Sequence, residues 1–268
     1  MQKAKLQFKI QNYLSINPEK ETERITKFIR ESVYNAGFSK VIVGLSGGID
    51  SATSCCLAVK ALGAENVLVG LFPFGNLHKE GLEDAKILID HLKIPSPGVN
   101  SVDIKPLVDS IITFDLQMDK LRHGNIIARM RMILLYDLAK KMNILVLGTE
   151  NKTEHLLGYF TRFGDEASDL EPIRHLYKTE VKQLAEYLHI PENIINKAPT
   201  AGLWEGQTDE GELGFTYEEA DQILYLSFDK NLAALEIEAA GFKREVIAKV
   251  LDHVKRNKFK HELPFVLE

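Results

Sequence analysis

Cysteine is nearly absent from the chain: two in 268 residues, adjacent at Cys55 and Cys56. Neighbouring cysteines cannot staple distant segments, so a disulfide framework is excluded and a reducing, cytoplasmic setting is expected. Both fall just inside a helix start, where small buried thiols pack, and this reads against a catalytic nucleophile. Long apolar runs are also missing: none approaches the ~20 residues that span a bilayer. The N-terminal "MQKAKLQFKIQNYL" has basic residues but lacks the apolar segment of a signal peptide, so no membrane role is expected. Nor is there an excess of positive charge. The formal net charge of −5 gives no general pull toward nucleic acid, and none is expected as a partner. No repeat, low-complexity tract or Pro/Gly/Ser-rich linker divides the chain. What is present is ordinary for a globular protein, 45% hydrophobic and 26% charged residues, enough at this length for one good-sized core or two small ones.

Along the chain, apolar patterns of two kinds alternate. "EKETERITKFIRESVYNAG" carries apolar residues at helical spacing (Ile25, Phe28, Ile29, Val33) and ends at Gly37. "VIVGL", "NVLVGLF", "VNSVDI" and "ILVLG" read as short buried strands. Helices are expected in "SATSCCLAVKALG", "HKEGLEDAKILIDHL", from about Pro106, in "NIIARMRMILLYDLAKKM", in "KTEVKQLAEYL" and around 217–226, 229–240 and 243–257. Strands separated by helices imply right-handed crossovers, hence an α/β fold: a three-layer, doubly wound parallel sheet flanked by helices. Ligands bind such sheets at the carboxyl ends of the strands, which places the chemistry near 45–51, 72–76, 103–105 and 148–154. The stretch from about 158 to 216 has few strand signals and many Gly, Asp, Thr and Pro residues, and reads as loops around a site. A helical part follows from about 217.

The most specific string is "VIVGLSGGIDSA", Val41 to Ala52. It runs from a strand through a turn with two glycines into a helix. Glycines at the turn let backbone N–H groups converge on an anion, and the helix start adds partial positive charge. Ser46 and Ser51 add hydroxyls. The lysine of the common phosphate-binding loop is missing, and Asp50 stands in the turn instead. A carboxylate beside phosphates is repulsive unless a divalent cation lies between them, so Asp50 implies Mg²⁺. A plain turn into a capped helix is the competing reading of the glycines alone.

The string SGGxDS resembles the signature of the N-type ATP pyrophosphatases, the PP-loop family, which cleave ATP between the α and β phosphates to adenylate a substrate. The resemblance implies a fold of the adenine nucleotide alpha hydrolase-like kind. "HGNIIARMRMILLYDLAK" sets Asn125 and Arg129 on one helix face, with Arg131 pointing elsewhere. "GTENKTEHLLGYFTRFGDEASDLEPI" puts Thr149 at a strand end and Glu154 one turn further, with Thr149 or Asn151 as helix cap. Together with "YKTEVKQLAEYLHIP", "KAPTAGLWEGQTDEGELGFTYEEAD" and "NKFKHELP", these strings resemble the short, ammonia-dependent NAD synthetases, in order, from about residue 20 onward.

That resemblance implies a single synthetase domain over residues 1–268, with no glutaminase domain because "VIVGLSGG" begins at residue 41. It implies a ligase in NAD biosynthesis: ATP-dependent amidation of deamido-NAD (nicotinic acid adenine dinucleotide) with ammonia. The reaction passes through an NAD-adenylate and yields NAD, AMP and pyrophosphate. By the same resemblance Gly44, Leu45, Ser46, Gly47, Gly48, Ile49, Asp50, Ser51, Thr149, Lys178 and Thr200 bind ATP. Asn125, Arg129, Arg162, Asp169, Phe259 and Lys260 contact deamido-NAD, and Asp50 and Glu154 hold Mg²⁺. Asp165 is assigned to the ammonium, which needs an anionic, partly desolvated pocket; Asp50 and Asp165 are thus the expected catalytic residues. A homodimer is implied, with the dinucleotide across the interface. The long helix through residue 131 is apolar beyond one stripe, which fits either such an interface or burial inside one subunit. Two departures from the common family pattern stand out: "LFPFGN" after the second strand, and Phe259 where His-Lys is usual in the tail. Another PP-loop enzyme, such as a tRNA thiolase, would want a basic surface and further cysteines. A non-catalytic nucleotide binder would not need Asp50.

Overall fold

A computed structural model describes residues 13–262 and 267. Residues 1–12, which hold most of the basic N-terminal stretch, and 263–264, the end of "NKFKHELP", lie outside that range.

Four short strands form one parallel sheet: β1 Val41–Gly44, β2 Val67–Leu71, β3 Val99–Ser101 and β4 Leu145–Leu147, in the order β3-β2-β1-β4. In β1 the side chains alternate between two buried faces. Val41 and Val43 join the core beneath α1 (Pro18–Asn35) and α2 (Ile49–Leu62), whereas Ile42 packs on the opposite side with Ala139 and Val146. Both faces are covered, so the strand reads as an unbroken apolar run. The helix α3 (Lys79–His91) adds Ala85, Leu88 and Ile89 to the first core. On the other face lie α4 (Lys105–Ile112) and the long α5 (Lys120–Met142), with Ile127 and Val108 around Phe72. The expected three-layer, doubly wound sheet is therefore present.

The order of strands decides where the site lies. From β1 the chain steps outward to β2 and β3, then returns through α4 and α5 to place β4 on the other side of β1. The direction of winding reverses between β1 and β4, and this opens a crevice at their carboxyl ends. The turn at Ser46–Ser51 follows β1; the segment 148–154 follows β4.

Several expected boundaries move. The helix read from Asn125 starts at Lys120, because the Asp119 carboxylate accepts from Arg122 N at 2.8 Å and caps it earlier. The stretch 229–240 is not one helix. A π-helical turn, Tyr225–Asp229, follows α10 (Tyr217–Leu224), Asn231 takes a left-handed backbone (φ 55°), and only Ala234–Ala239 (α11) is helical before α12 (Arg244–Asn257). The 158–216 stretch is less irregular than its composition suggests. Leu170 extends the sheet by bridging Leu147 in parallel, with Gly148 N donating to Leu170 O at 2.8 Å.

Short helices α6 (Lys152–Leu157), α7 (Lys178–Tyr187), α8 (Glu192–Ile195) and α9 (Asp209–Leu213) fill the rest. A second core of Leu157, Tyr177, Phe215, Tyr217, Leu224 and Ile237 joins the C-terminal helices to α6 and to the start of α7. Among the described residues no helix is long and apolar enough to cross a membrane.

Candidate active site

The glycine turn is held by its own side chains. Gly47 has φ +80°, and a Cβ there would lie 2.1 Å from the carbonyl oxygen of Gly81 in α3, so no other residue fits. Ser46 Oγ accepts from Gly48 N at 3.2 Å, and the Ser46 and Ser51 hydroxyls are 3.0 Å apart. Ser51 Oγ donates to Gly48 O at 3.0 Å. The two hydroxyls expected to face a phosphate thus first lock the turn. Leu45 N pairs with Gly70 O at 3.0 Å, which fixes the turn to the end of β2.

Asp50, in the first turn of α2, reaches across the crevice. Its Oδ1 accepts from Asn151 Nδ2 at 2.9 Å, and its Oδ2 lies 2.5 Å from Lys178 Nζ. Lys178 Nζ also meets Glu154 Oε1 at 3.1 Å. Asp50, Glu154 and Lys178 come from three separate helices, and their side chains are only 16%, 18% and 9% exposed. Burial alone would lower the Lys178 pKa, but the two carboxylates more than reverse this and raise it. Burial raises the Glu154 carboxyl, opposed by Lys178. Lys178 is therefore firmly cationic, and Glu154 is a carboxylate that needs a cation beside it.

A ring of aromatic and acidic groups surrounds this trio. Lys178 Nζ stands 5.0 Å from the centroid of the Tyr217 ring. Tyr217 OH donates to Asp209 Oδ2 at 3.0 Å, and Tyr159 OH donates to Asp209 Oδ1 at 3.2 Å. Asp209 also accepts from Ala201 N at 3.0 Å, which ties down the loop that carries Thr200. Below, the fully buried Asp221 accepts from Thr153 Oγ1 at 2.5 Å and Thr179 N at 2.7 Å, joining the starts of α6 and α7. Burial, partly offset by those donors, pushes its carboxyl up to about 6.

The residues expected at the dinucleotide form a second group. Asn125 Oδ1 accepts from Thr161 Oγ1 at 2.9 Å, and Arg129 Nη2 donates to Arg162 O at 3.2 Å. Asp165 Oδ1 accepts from Thr161 N at 2.9 Å, which gathers α5 and the 161–165 loop. Lys260 Nζ donates to Gly158 O at 2.6 Å and Phe160 O at 2.8 Å, so the tail straps this loop. Arg162 Nη2 donates to Glu262 O from the other side. Arg162 and Lys260 line a cavity of about 280 Å³ together with Arg174, aromatic residues including Phe160 and His261, and the acidic Glu166 and Glu262.

Four expected residues stand apart from both groups. Thr149 lies half-buried past the end of β4. Thr200 Oγ1 accepts from Gly202 N at 3.2 Å within its own loop. Asp169 is exposed at the sheet edge, where its Oδ2 accepts from Val146 N at 2.7 Å. Phe259 is 55% exposed. Arg131 does leave the Asn125–Arg129 face, and its Nε donates to Phe72 O at 3.2 Å. Cys55 and Cys56 are buried, which pushes the Cys56 thiol up to about 11 and Cys55 higher still, so neither offers a thiolate.

Sequence reasoning missed Asp209, Tyr217 and Tyr159, and treated Asn151 only as a possible cap. All four lie in strings already singled out: Asn151 and Tyr159 in "GTENKTEHLLGYFTRFGDEASDLEPI", Asp209 and Tyr217 in "KAPTAGLWEGQTDEGELGFTYEEAD".

The comparisons agree on a family. The model of the NAD synthase family matches residues 21–264. An NH(3)-dependent NAD(+) synthetase of Fusobacterium nucleatum is 42% identical over 255 residues, covering 95% of this chain and 98% of that protein. Among solved structures, the NH3-dependent NAD synthetase of Campylobacter jejuni superimposes with a TM-score of 0.80 at 35% identity, covering 94% of this chain and all of that one (100%). The NMN synthetase of Francisella tularensis superimposes with a TM-score of 0.83 at 33% identity, covering 94% of this chain and 99% of that one. With a glycine turn, a carboxylate pair and a lysine assembled at the switch point of such a sheet, the chain belongs to the NAD synthase family.

Proposed function

We propose that the protein amidates deamido-NAD with free ammonia at the expense of ATP, giving NAD, AMP and pyrophosphate. The observation that carries this reading is the convergence of Asp50, Glu154 and Lys178 beside the glycine turn. A carboxylate is a poor acyl donor, and conversion to an adenylate supplies AMP as a leaving group. In the first step the dinucleotide's carboxylate oxygen bonds to the α-phosphorus of ATP, and the bond to pyrophosphate breaks. In the second, ammonia bonds to the acyl carbon, AMP departs, and the nitrogen loses a proton. The amides of Gly44 to Ser51 cradle the departing pyrophosphate, helped by the start of α2. Lys178 N is fixed by Thr153 Oγ1 at 2.9 Å, which anchors the start of α7, and its ammonium, now between Asp50 and Glu154, would offset the phosphate charge of bound ATP. Thr149 and Thr200 border the same nucleotide. Arg129, Arg162, Lys260 and Asn125 hold deamido-NAD, Asp169 and Phe259 flank it, and Asp165 takes the ammonium's proton.

The donor set suits Mg²⁺. Among the described residues no cluster of three or more His, Cys, Asp or Glu is arranged for a metal. Mg²⁺ asks for less, one or two carboxylates plus phosphate oxygens and water. Asp50 and Glu154 already converge on one cation, the Lys178 ammonium. They would hold the metal, which when bound neutralises charge on the phosphates.

The whole chain works as one synthetase domain, in the cytoplasm, as a homodimer. Support for the dimer comes from α4, α5 and their connection, where Leu107, Phe114, Leu116, Leu121 and Ile133 are exposed. Sedimentation should give twice the chain mass; a monomer at micromolar concentration would overturn this.

One assay tests the activity. Protein, Mg·ATP, deamido-NAD and ammonium should yield NAD, AMP and pyrophosphate in equal amounts. Formation of ADP, or AMP release without deamido-NAD, would overturn the reading. Because one structural neighbour is an NMN synthetase, the deamido form of NMN belongs in a parallel reaction. Turnover of that mononucleotide alone would replace the dinucleotide as substrate.

A further inference from the structure

Asn151 is fully buried and stands at the start of α6, where its side-chain oxygen accepts from Glu154 N at 2.9 Å. That bond alone makes it a helix cap. Its other end does something a cap does not require: Nδ2 donates to Asp50 Oδ1 at 2.9 Å, across 101 residues of sequence. The amide orientation follows from its partners. Only the oxygen can accept from Glu154 N–H, and only the nitrogen can donate to a carboxylate.

One rigid amide therefore links the two segments that leave the sheet on either side of the switch point. It ties the carboxylate that follows β1 to the backbone of the residue that supplies the carboxylate following β4. With Oδ1 occupied by Asn151, the Oδ2 of Asp50 is turned toward Lys178 Nζ at 2.5 Å, and Glu154 Oε1 faces the same ammonium at 3.1 Å. Asp50 has no other neutral side-chain donor among the described hydrogen bonds. Asparagine meets both demands at this position. Serine or aspartate would cap α6 equally well, but neither offers a neutral N–H to Asp50.

We propose that Asn151 is a positioning residue that sets the separation and aim of Asp50 and Glu154 for a divalent cation on ATP. This rests on the reading of those two carboxylates as the cation pair. Groups that orient metal ligands typically change affinity or activity 10–100-fold when lost.

The test uses Asn151→Ser in the full chain. Serine keeps the cap and removes the amide donor. Mn²⁺ binding with a non-hydrolysable ATP analogue is measured by titration calorimetry, beside the thermal midpoint of the free protein and steady-state kinetics. Expected is a midpoint close to wild type, Mn²⁺ affinity lower by about 10–100-fold and kcat lower by a similar factor, with KM for deamido-NAD unchanged. Wild-type Mn²⁺ affinity in a folded Asn151→Ser protein would overturn the proposal, and so would a fallen midpoint with normal metal affinity, which leaves only a cap. Asp50→Asn and Glu154→Gln serve as reference variants. If they also bind Mn²⁺ as wild type, the failure belongs to the cation-pair reading and not to Asn151 alone.

Discussion

Asp50→Asn is expected to abolish adenylation while leaving the protein folded. The fold survives because Lys178 keeps Glu154 at 3.1 Å, and the asparagine oxygen can still accept from Asn151 Nδ2. The chemistry does not survive. A neutral amide binds a hard divalent cation far more weakly than a carboxylate. It also leaves negative charge on the attacked phosphate less well neutralised as it builds. A loss of several kcal/mol in transition-state stabilisation corresponds to about a thousandfold or more in rate. The measurement is release of AMP and pyrophosphate under saturating ATP and deamido-NAD, beside a far-ultraviolet circular dichroism spectrum. Turnover at the wild-type rate would remove Asp50 from the cation site. A loss of helical signal would mean instead that the carboxylate holds the fold together.

Lys178→Met carries the second large effect, and it acts on stability as well as rate. In the structure the Lys178 ammonium lies between Asp50 and Glu154, where a divalent cation between those carboxylates would also lie. Without it, two mostly buried carboxylates face each other with no positive partner. Removing one member of a buried pair costs about 3–5 kcal/mol; these side chains keep some solvent contact, so about 3 kcal/mol is expected, read as a lowered urea midpoint. Divalent cation should then stabilise the variant more than it stabilises the wild type, because it replaces the lost charge and need not displace an ammonium. With Lys178 in its proposed role at the ATP phosphates, turnover should fall by about 10²–10³. An unchanged urea midpoint without divalent cation would show that the ammonium is not what holds the pair.

These two effects divide the site by function. Asp50 belongs to the part that local sequence announces, whereas the position of Lys178 between the carboxylates is visible only in three dimensions. The difference lies in the range of the interactions. "VIVGLSGGIDSA" is readable because strand, turn and helix start are consecutive, and each follows from side-chain type and backbone freedom within a few residues. The buried run of β1 and the placement of Asp50 in the first turn of α2 follow from that string, whereas the close approach of Gly81 O that demands glycine at 47 comes from α3. The alternation of strands and helices likewise implied a layered parallel sheet.

Reach across the molecule was not readable. Lys178 meets Asp50 over 128 residues, and Asn151 meets it over 101. Both contacts depend on α7 packing beside α2 and on α6 being held to α7, which the buried Asp221 secures by bonding Thr153 and Thr179 at the starts of α6 and α7. Tyr217 and Asp209 join the site for the same reason, through a second core that no single segment encodes.

Some local signals also answer to the rest of the fold. Asp169 reads as a loop carboxylate, and one of its oxygens caps the free N–H of Val146 at the edge of β4. An unpaired strand donor is costly to leave without an acceptor, and the nearest carboxylate takes it. Around Asn231 the helical pattern yields to a left-handed residue that lets α11 pack against α12.

Neighbours along the chain were enough to read the layered α/β class and a glycine turn with Asp50 at its helix start, because each rests on side-chain type within a few residues. Which residues gather around that aspartate depends on long-range packing. Strand order sets the crevice between β1 and β4, and the packing of α7 beside α2, with α6 tied to α7, brings Asn151, Glu154 and Lys178 within 2.5–3.1 Å of their partners.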